Sequence, residues 1–196
     1  MSLSVLLLVV LFGIATAQPS ERCAATPSTW SGYIYAIEFR LGKLELLISL
    51  ANYDRESQKI KITDTDVSPG SPKRTTLEEW STKTRYVSEN GQCRKERIEE
   101  AEFPKFGVPE GAKRIGAPEY LGSKLPNLGV LVEQYSRAGS EGEFFGTFAP
   151  IGNGEMCVPI ITSTLTVVPL AESLLEYVNV TTTLPVDPFS IPPGCK

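Results

Sequence analysis

A single antiparallel β domain, a sandwich or a partly closed barrel, is what the sequence predicts, and three observations predict it. Apolar residues recur with a period of two through most of the chain, turn residues punctuate these runs at fairly even spacing, and helix signals are scarce. From Trp30 to Arg40, Tyr33, Tyr35, Ile37 and Phe39 share one face, and Ile34, Ala36, Glu38 and Arg40 share the other. Gly42-Lys43 offers a tight connection into Leu44–Asn52, where Leu44, Leu46, Ile48 and Leu50 alternate with Glu45, Leu47, Ser49 and Ala51, so the two segments predict a hairpin. Lys59–Thr65 alternates Ile60 and Ile62 with lysines and threonine, and Thr82–Ser88 is a further short strand. The remaining strands are expected over Gly129–Ser136, Gly142–Ala149, Val158–Val168 and Leu174–Thr183. One exposed helical turn is expected at Arg94–Glu102 and another at Ala117–Leu121, with Pro104, Pro109 and Pro118 keeping helices short. The turn-rich stretches Ser68–Pro72 and Phe103–Pro109 are too short for interdomain linkers, and no internal repeat is present.

The chain has 196 residues, enough for one domain, and a compact chain of that size buries about 70% of its unfolded surface. Its 19 basic and 23 acidic side chains give a net charge of -4, so there is no basic stripe for nucleic acid and no polybasic membrane anchor. Histidine is absent, which removes Ser-His-Asp and Cys-His hydrolysis, His-ligated catalytic zinc and His-bound haem.

Leu3–Ile14 is a nearly unbroken apolar run followed by Ala15-Thr16-Ala17, the small-x-small pattern of a signal-peptidase site. The run is well short of the roughly 20 residues that span a bilayer, so residues 1–17 are expected to be a cleaved signal peptide and 18–196 a single secreted domain without a transmembrane anchor. In an oxidising compartment, Cys23, Cys93, Cys157 and Cys195 predict two disulfides, with three connectivities open. Asn179-Val180-Thr181 is the one glycosylation sequon.

Some strands are apolar on both faces, notably Leu44–Ala51 and Phe144–Ala149. Either a second layer covers them or one face lines an apolar cavity, the filled core being the commoner arrangement. Asp64-Thr65-Asp66 begins like a calcium loop, but the glycine falls late at Gly70 and Thr75 stands where a bidentate glutamate is needed, so no metal site is assigned. Arg97–Glu102 reads as a solvated charged face that at most holds calcium weakly.

A set of motifs in order then becomes visible: Cys23 with Pro27 and Trp30-Ser31-Gly32; Tyr53-Asp54; Gln58-Lys59-Ile60-Lys61; Cys93-Arg94-Lys95; Phe103-Pro104; Val108-Pro109-Glu110-Gly111-Ala112; Tyr120-Leu121-Gly122-Ser123; Gly129-Val130-Leu131-Val132; Cys157-Val158-Pro159; and the ending Asp187-Pro188-Phe189-Ser190-Ile191-Pro192-Pro193-Gly194-Cys195. In these the chain resembles the ependymin-related proteins over nearly the whole of residues 18–196. The resemblance implies a secreted glycoprotein of two curved antiparallel sheets around a deep apolar pocket, with one or two short helices, similar to the bacterial lipoprotein-carrier fold. It also implies hydrophobic-ligand or lipid binding, a homodimer, calcium, cell-matrix adhesion, and for some members a lysosomal location. Carried over by position, it implies bridges Cys23–Cys157 and Cys93–Cys195. Tyr135 stands where the family pattern leads one to expect tryptophan, a change read as packing.

The resemblance shifts the two-faced strands toward the cavity. Tyr33, Tyr35, Ile37, Phe39, Leu46, Ile48, Ile62, Val132 and Phe144 are the candidate pocket wall, and a one-residue slip of parity replaces them with Ile34, Ala36 and Leu47. The function expected first is therefore non-catalytic binding of a fatty acid or lipid. Calcium-dependent adhesion or extracellular signalling comes second, and a carboxylate-only hydrolase third.

Overall fold

The computed structural model describes residues 23, 25–40, 42–67, 73–140, 142–167, 170–192 and 194–195. The expected leader, residues 1–17, lies outside these, as does the turn-rich stretch Ser68–Pro72. Eleven strands follow one another: β1 (Thr29–Arg40), β2 (Lys43–Asp54), β3 (Lys59–Val67), β4 (Arg74–Glu79), β5 (Thr84–Glu89), β6 (Gln92–Arg97), β7 (Lys113–Gly122), β8 (Gly129–Gly139), β9 (Gly142–Ile151), β10 (Met156–Val167) and β11 (Leu170–Thr181). All pair antiparallel in one sheet of order β6-β5-β4-β3-β2-β1-β11-β10-β9-β8-β7. The chain walks outward from β1 to one edge, crosses to the other edge, and walks back until β11 pairs with β1.

The mainly β antiparallel expectation is met, with two corrections. The strands form a single hydrogen-bonded sheet where two were expected, because the β1–β11 pairing joins the halves from Ser31↔Thr181 to Arg40↔Ala171. Among the described residues there is no helix: the turns expected at Arg94–Glu102 and Ala117–Leu121 fall on β6, on the coil after it, and on β7. Both are edge strands. β6 is almost wholly polar, as suits a strand whose outer side must refuse further pairing, and β7 accommodates Gly116 and Pro118 in a register shift between Ile115 and Glu119. β4 has only Leu77 as an apolar residue, yet Leu77 is fully buried.

Two buried clusters lie on one face of the sheet. Trp30, Ile34, Ala36, Ala51, Tyr53, Ile60 and Tyr177 form one buried cluster, and Cys23, Tyr135, Phe144, Phe148 and Cys157 a second. The link from β6 to β7 covers both: Phe103 and Phe106 pack on the first cluster, Val108 and Ala112 on the second. Ring contacts fix this link, with Phe106 edge-on to Trp30 at 4.8 Å and Phe103 stacked on Tyr53 at 5.2 Å, while the Tyr53 hydroxyl donates to the Pro104 carbonyl at 3.2 Å. Each buried ring removes on the order of 150–250 Å² from water, worth roughly 4–6 kcal/mol of transfer free energy. Gly107 sits in this link at φ 126°, where a Cβ would collide with the Thr26 side chain, so only glycine lets the chain cross here.

Both bridges implied by the family pattern are present, Cys23–Cys157 and Cys93–Cys195. The first fastens the N-terminal segment beside β10, where Cys157 N–H donates to the Ala25 carbonyl at 3.0 Å. The second ends a C-terminal tail that recrosses the opposite face of β3: Lys61 Nζ donates to the carbonyl and hydroxyl of Ser190 at 2.8 and 3.0 Å, and Pro192 is fully buried.

Candidate functional site

Strand alternation leaves the second face of β1, β2 and β11 largely open. Tyr33, Tyr35, Ile37 and Phe39 are 38–44% exposed, and register sets them beside β2 and β11 partners. Ile37 lies between Leu46 and Leu174, Tyr35 between Ile48 and Glu176, and Phe39 between Leu44 and Glu172. Leu44 and Leu46 are 61% and 51% exposed, so an apolar face runs across β1 and β2 and is edged on β11 by Glu172, Leu174 and Glu176. Six of the nine residues expected to wall a pocket therefore stand together: Tyr33, Tyr35, Ile37, Phe39, Leu46 and Ile48. The other three stand apart from them. Ile62 pairs with Ala51 and packs on the first core cluster, Phe144 belongs to the second cluster, and Val132 is buried on β8. The alternate parity set, Ile34, Ala36 and Leu47, forms or packs against the covered core.

Two clefts border the start of β9, the first mainly on the face that carries the core clusters and the second mainly on the face that carries Tyr33 to Phe39. One, of about 430 Å³, is lined by Arg137, Ser140, Glu143, Phe144, Thr164 and Thr166. Another, of about 400 Å³, shares Arg137, Glu143 and Phe144 with it and adds Phe145, Ser163 and Glu172. The β8–β9 hairpin closes with Gly139 opposite Gly142, a pair without side chains. A Cβ at Gly142, whose φ is 148°, would collide with the Leu165 carbonyl of β10. Arg137 is held from below, donating from Nη1 to the Glu110 carbonyl at 3.2 Å. On β10 and β11, the Thr164 and Ser173 hydroxyls share a hydrogen bond of 2.6 Å. Phe144 and Phe145 point to opposite faces of β9, so the first cleft sets Arg137 and the hydroxyls of Ser140, Thr164 and Thr166 beside Phe144, and the second sets Glu143, Ser163 and Glu172 beside Phe145. Each joins charged groups and hydroxyls to apolar surface, which suits a ligand with many hydroxyls and apolar C–H faces. None of these residues stands out in the sequence, because Arg137, Glu143 and Thr164 lie in strands whose readable signal is apolar alternation.

Beneath the clefts, β8 buries Glu133. Its side chain is shielded from water, accepts a hydrogen bond from the Tyr135 hydroxyl at 2.8 Å, and lies 3.9 Å from the Arg114 guanidinium. Tyr135 thus does more than fill space: it positions a buried carboxylate, and tryptophan there would lack the hydroxyl.

Burial raises the phenol pKa of Tyr177, eased by a bond to Thr162, and that of Tyr53, eased by the Arg55 charge. Burial also lowers the Lys61 ammonium pKa, against the pull of Asp187. Among the described residues no three His, Cys, Asp or Glu side chains gather into a metal-binding group. Asn179 is exposed in β11 at φ 54°, beside the register shift opposite Ser31 and Tyr33.

These features define a class: an antiparallel β-meander protein, pinned by two disulfides, with an open apolar face and adjoining polar clefts. No helix among the described residues is long and apolar enough to cross a membrane. No protein-family model matches the sequence. The chain is 41% identical to the alpha chain of halilectin 3 from Haliclona caerulea over 151 residues, 76% of this chain and 99% of that one. It is 39% identical to the beta chain of the same protein over 113 residues, 58% of this chain and 93% of that one. The chain belongs to the halilectin 3 family. Its fold is similar to that of an uncharacterized conserved protein from Thermus thermophilus, with a TM-score of 0.52 at 12% identity, covering 82% of each chain.

Proposed function

We propose that this chain is a secreted, non-catalytic carbohydrate-binding protein that takes its ligand at the clefts around the β8–β9 hairpin. The observation that carries the reading is kinship with two chains of a protein named as a lectin, one of them matched over nearly its full length. Each cleft is suited to holding a sugar: the first brings Arg137 together with the hydroxyls of Ser140, Thr164 and Thr166, and the second brings Glu143 and Ser163 together with the exposed ring of Phe145. Two disulfides fit an oxidising compartment, and the exposed Asn179 fits a glycoprotein. The test is a glycan array probed with the secreted protein, followed by titration of the best ligand against Arg137→Ala and Glu143→Gln. Binding that drops at least about tenfold in folded variants supports the site. An array without retained glycan sinks the reading.

A second reading rests on the open face. Tyr33, Tyr35, Ile37 and Phe39 offer apolar surface that a fatty acid or lipid would cover, in keeping with the ependymin resemblance. The same face is suited to a homodimer, a reading supported by the relative's alpha and beta chains both matching this one chain. Native mass spectrometry separates these, since a lipid appears as added mass and a dimer as a doubled one. Calcium-dependent adhesion, the remaining alternative, predicts that chelation dissolves any self-association.

A further inference from the structure

We infer that the tip of the β7–β8 hairpin is a membrane-docking element that seats in the headgroup layer of a phospholipid bilayer. This goes beyond glycan recognition and does not depend on it. The hairpin lies at one edge of the sheet, where among the described residues β7 pairs only with β8. Near its end Tyr120 pairs with Leu131 on one face and Leu121 with Val130 on the other, and all four are at least 36% exposed. Beyond them Leu125 and Leu128 are each 64% exposed, in a turn closed by the Leu128 N–H to the Leu125 carbonyl at 3.1 Å. From these exposures the tip presents on the order of 500–600 Å² of apolar side chain, as much as the largest patch on an ordinary monomer.

Three features select a bilayer over a protein surface. The first is geometry: the apolar residues occupy both faces and the turn, so a flat partner would cover half of them, whereas a fluid slab surrounds them all. Charge is the second, since no acidic residue lies between Glu119 and Glu133 in a chain with 23 of them, and Lys124 sits in the turn facing phosphate headgroups. Depth is the third. At about 3.4 Å per strand residue, the Tyr120 ring lies roughly 10 Å behind the turn, the distance that sets an aromatic ring at the interface when the turn reaches the acyl boundary. The unpaired β7 edge cannot enter hydrocarbon without stranding its backbone groups, so insertion stops at this depth.

The test uses the full secreted chain and phosphatidylcholine vesicles. Wild-type protein is expected to co-sediment with them, and Leu125→Asp/Leu128→Asp to lose binding by about tenfold or more. Lys124→Glu is expected to weaken it several-fold. A tryptophan reporter, Leu125→Trp, is expected to shift to the blue and be quenched by brominated lipid, whereas Trp30 and Trp80, both buried, stay silent and report that the fold is intact. Vesicle binding unchanged in the double aspartate variant overturns the inference, as does wild-type protein that ignores vesicles. A wild-type dimer that the double variant dissolves, with no vesicle binding, overturns it as well and assigns the tip to a second copy.

Discussion

Tyr135→Phe removes one oxygen from the protein and nothing else. The ring stays edge-on to Phe148, with centroids at 5.8 Å, so packing is conserved. The hydroxyl's bond to Glu133 Oε2, 2.8 Å long and buried, is lost. Leaving a buried hydrogen-bonding group without its partner costs about 1–3 kcal/mol, and at this chain length that lowers Tm by roughly 2–12 °C. Urea denaturation followed by tryptophan fluorescence measures it directly, since Trp30 and Trp80 are both buried. In a Glu133→Ala background the same substitution is expected to cost less than half as much, because the hydroxyl has already lost this acceptor. A loss below about 0.5 kcal/mol in the wild-type background would refute the assignment and return Tyr135 to a packing role.

Three further outcomes are expected. The stability contributed by the phenols of Tyr177 and Tyr53 is level below pH about 10 and falls above it, because burial holds their folded-state pKa above the unfolded value; urea midpoints across alkaline pH show this, and Tyr177→Phe flattens the decline. Cys93→Ser/Cys195→Ser, which opens a bridge spanning 102 residues, is expected to cost about 2–4 kcal/mol and to expose the C-terminal tail to protease. Gly32→Ala is expected to destabilise by about 1–3 kcal/mol, since its Cβ would meet Val180 Cα at 3.1 Å and the Val178 carbonyl at 3.2 Å, backbone atoms of the β11 bulge; a circular-dichroism melt checks it.

The strands that the sequence made legible are those with strict alternation over many residues. β1 and β2 are found within two residues of their expected ends, and their hairpin is in register from Thr29↔Asp54 to Arg40↔Lys43. β4, β6 and β7 are hidden for physical reasons. Their stability comes from neighbours and not from their own pattern, so β4 needs only Leu77 to hold, and the charges that guard the β6 edge resemble a solvated helix. Parity is the harder question. Ile34 and Ala36 look too small to define a core beside Tyr33 and Tyr35, but the link carrying Phe103 and Phe106 supplies the missing bulk, and that contact joins segments far apart in sequence. The polar clefts are illegible for a similar reason, since Arg137, Glu143 and Thr164 come together only through pairing of β8, β9 and β10.

The β1–β11 junction also sets a timetable for biosynthesis. Every other neighbouring pair of strands is a hairpin that closes soon after it is made, but β1 must wait until residues 170–181 have been synthesised before its second edge is paired. During that interval it exposes Tyr33 to Phe39 on an open strand edge, the condition under which nascent chains pair with each other. Production of the protein is therefore expected to depend on folding helpers that shield this strand, and yield is the property most sensitive to how quickly the second half of the chain arrives.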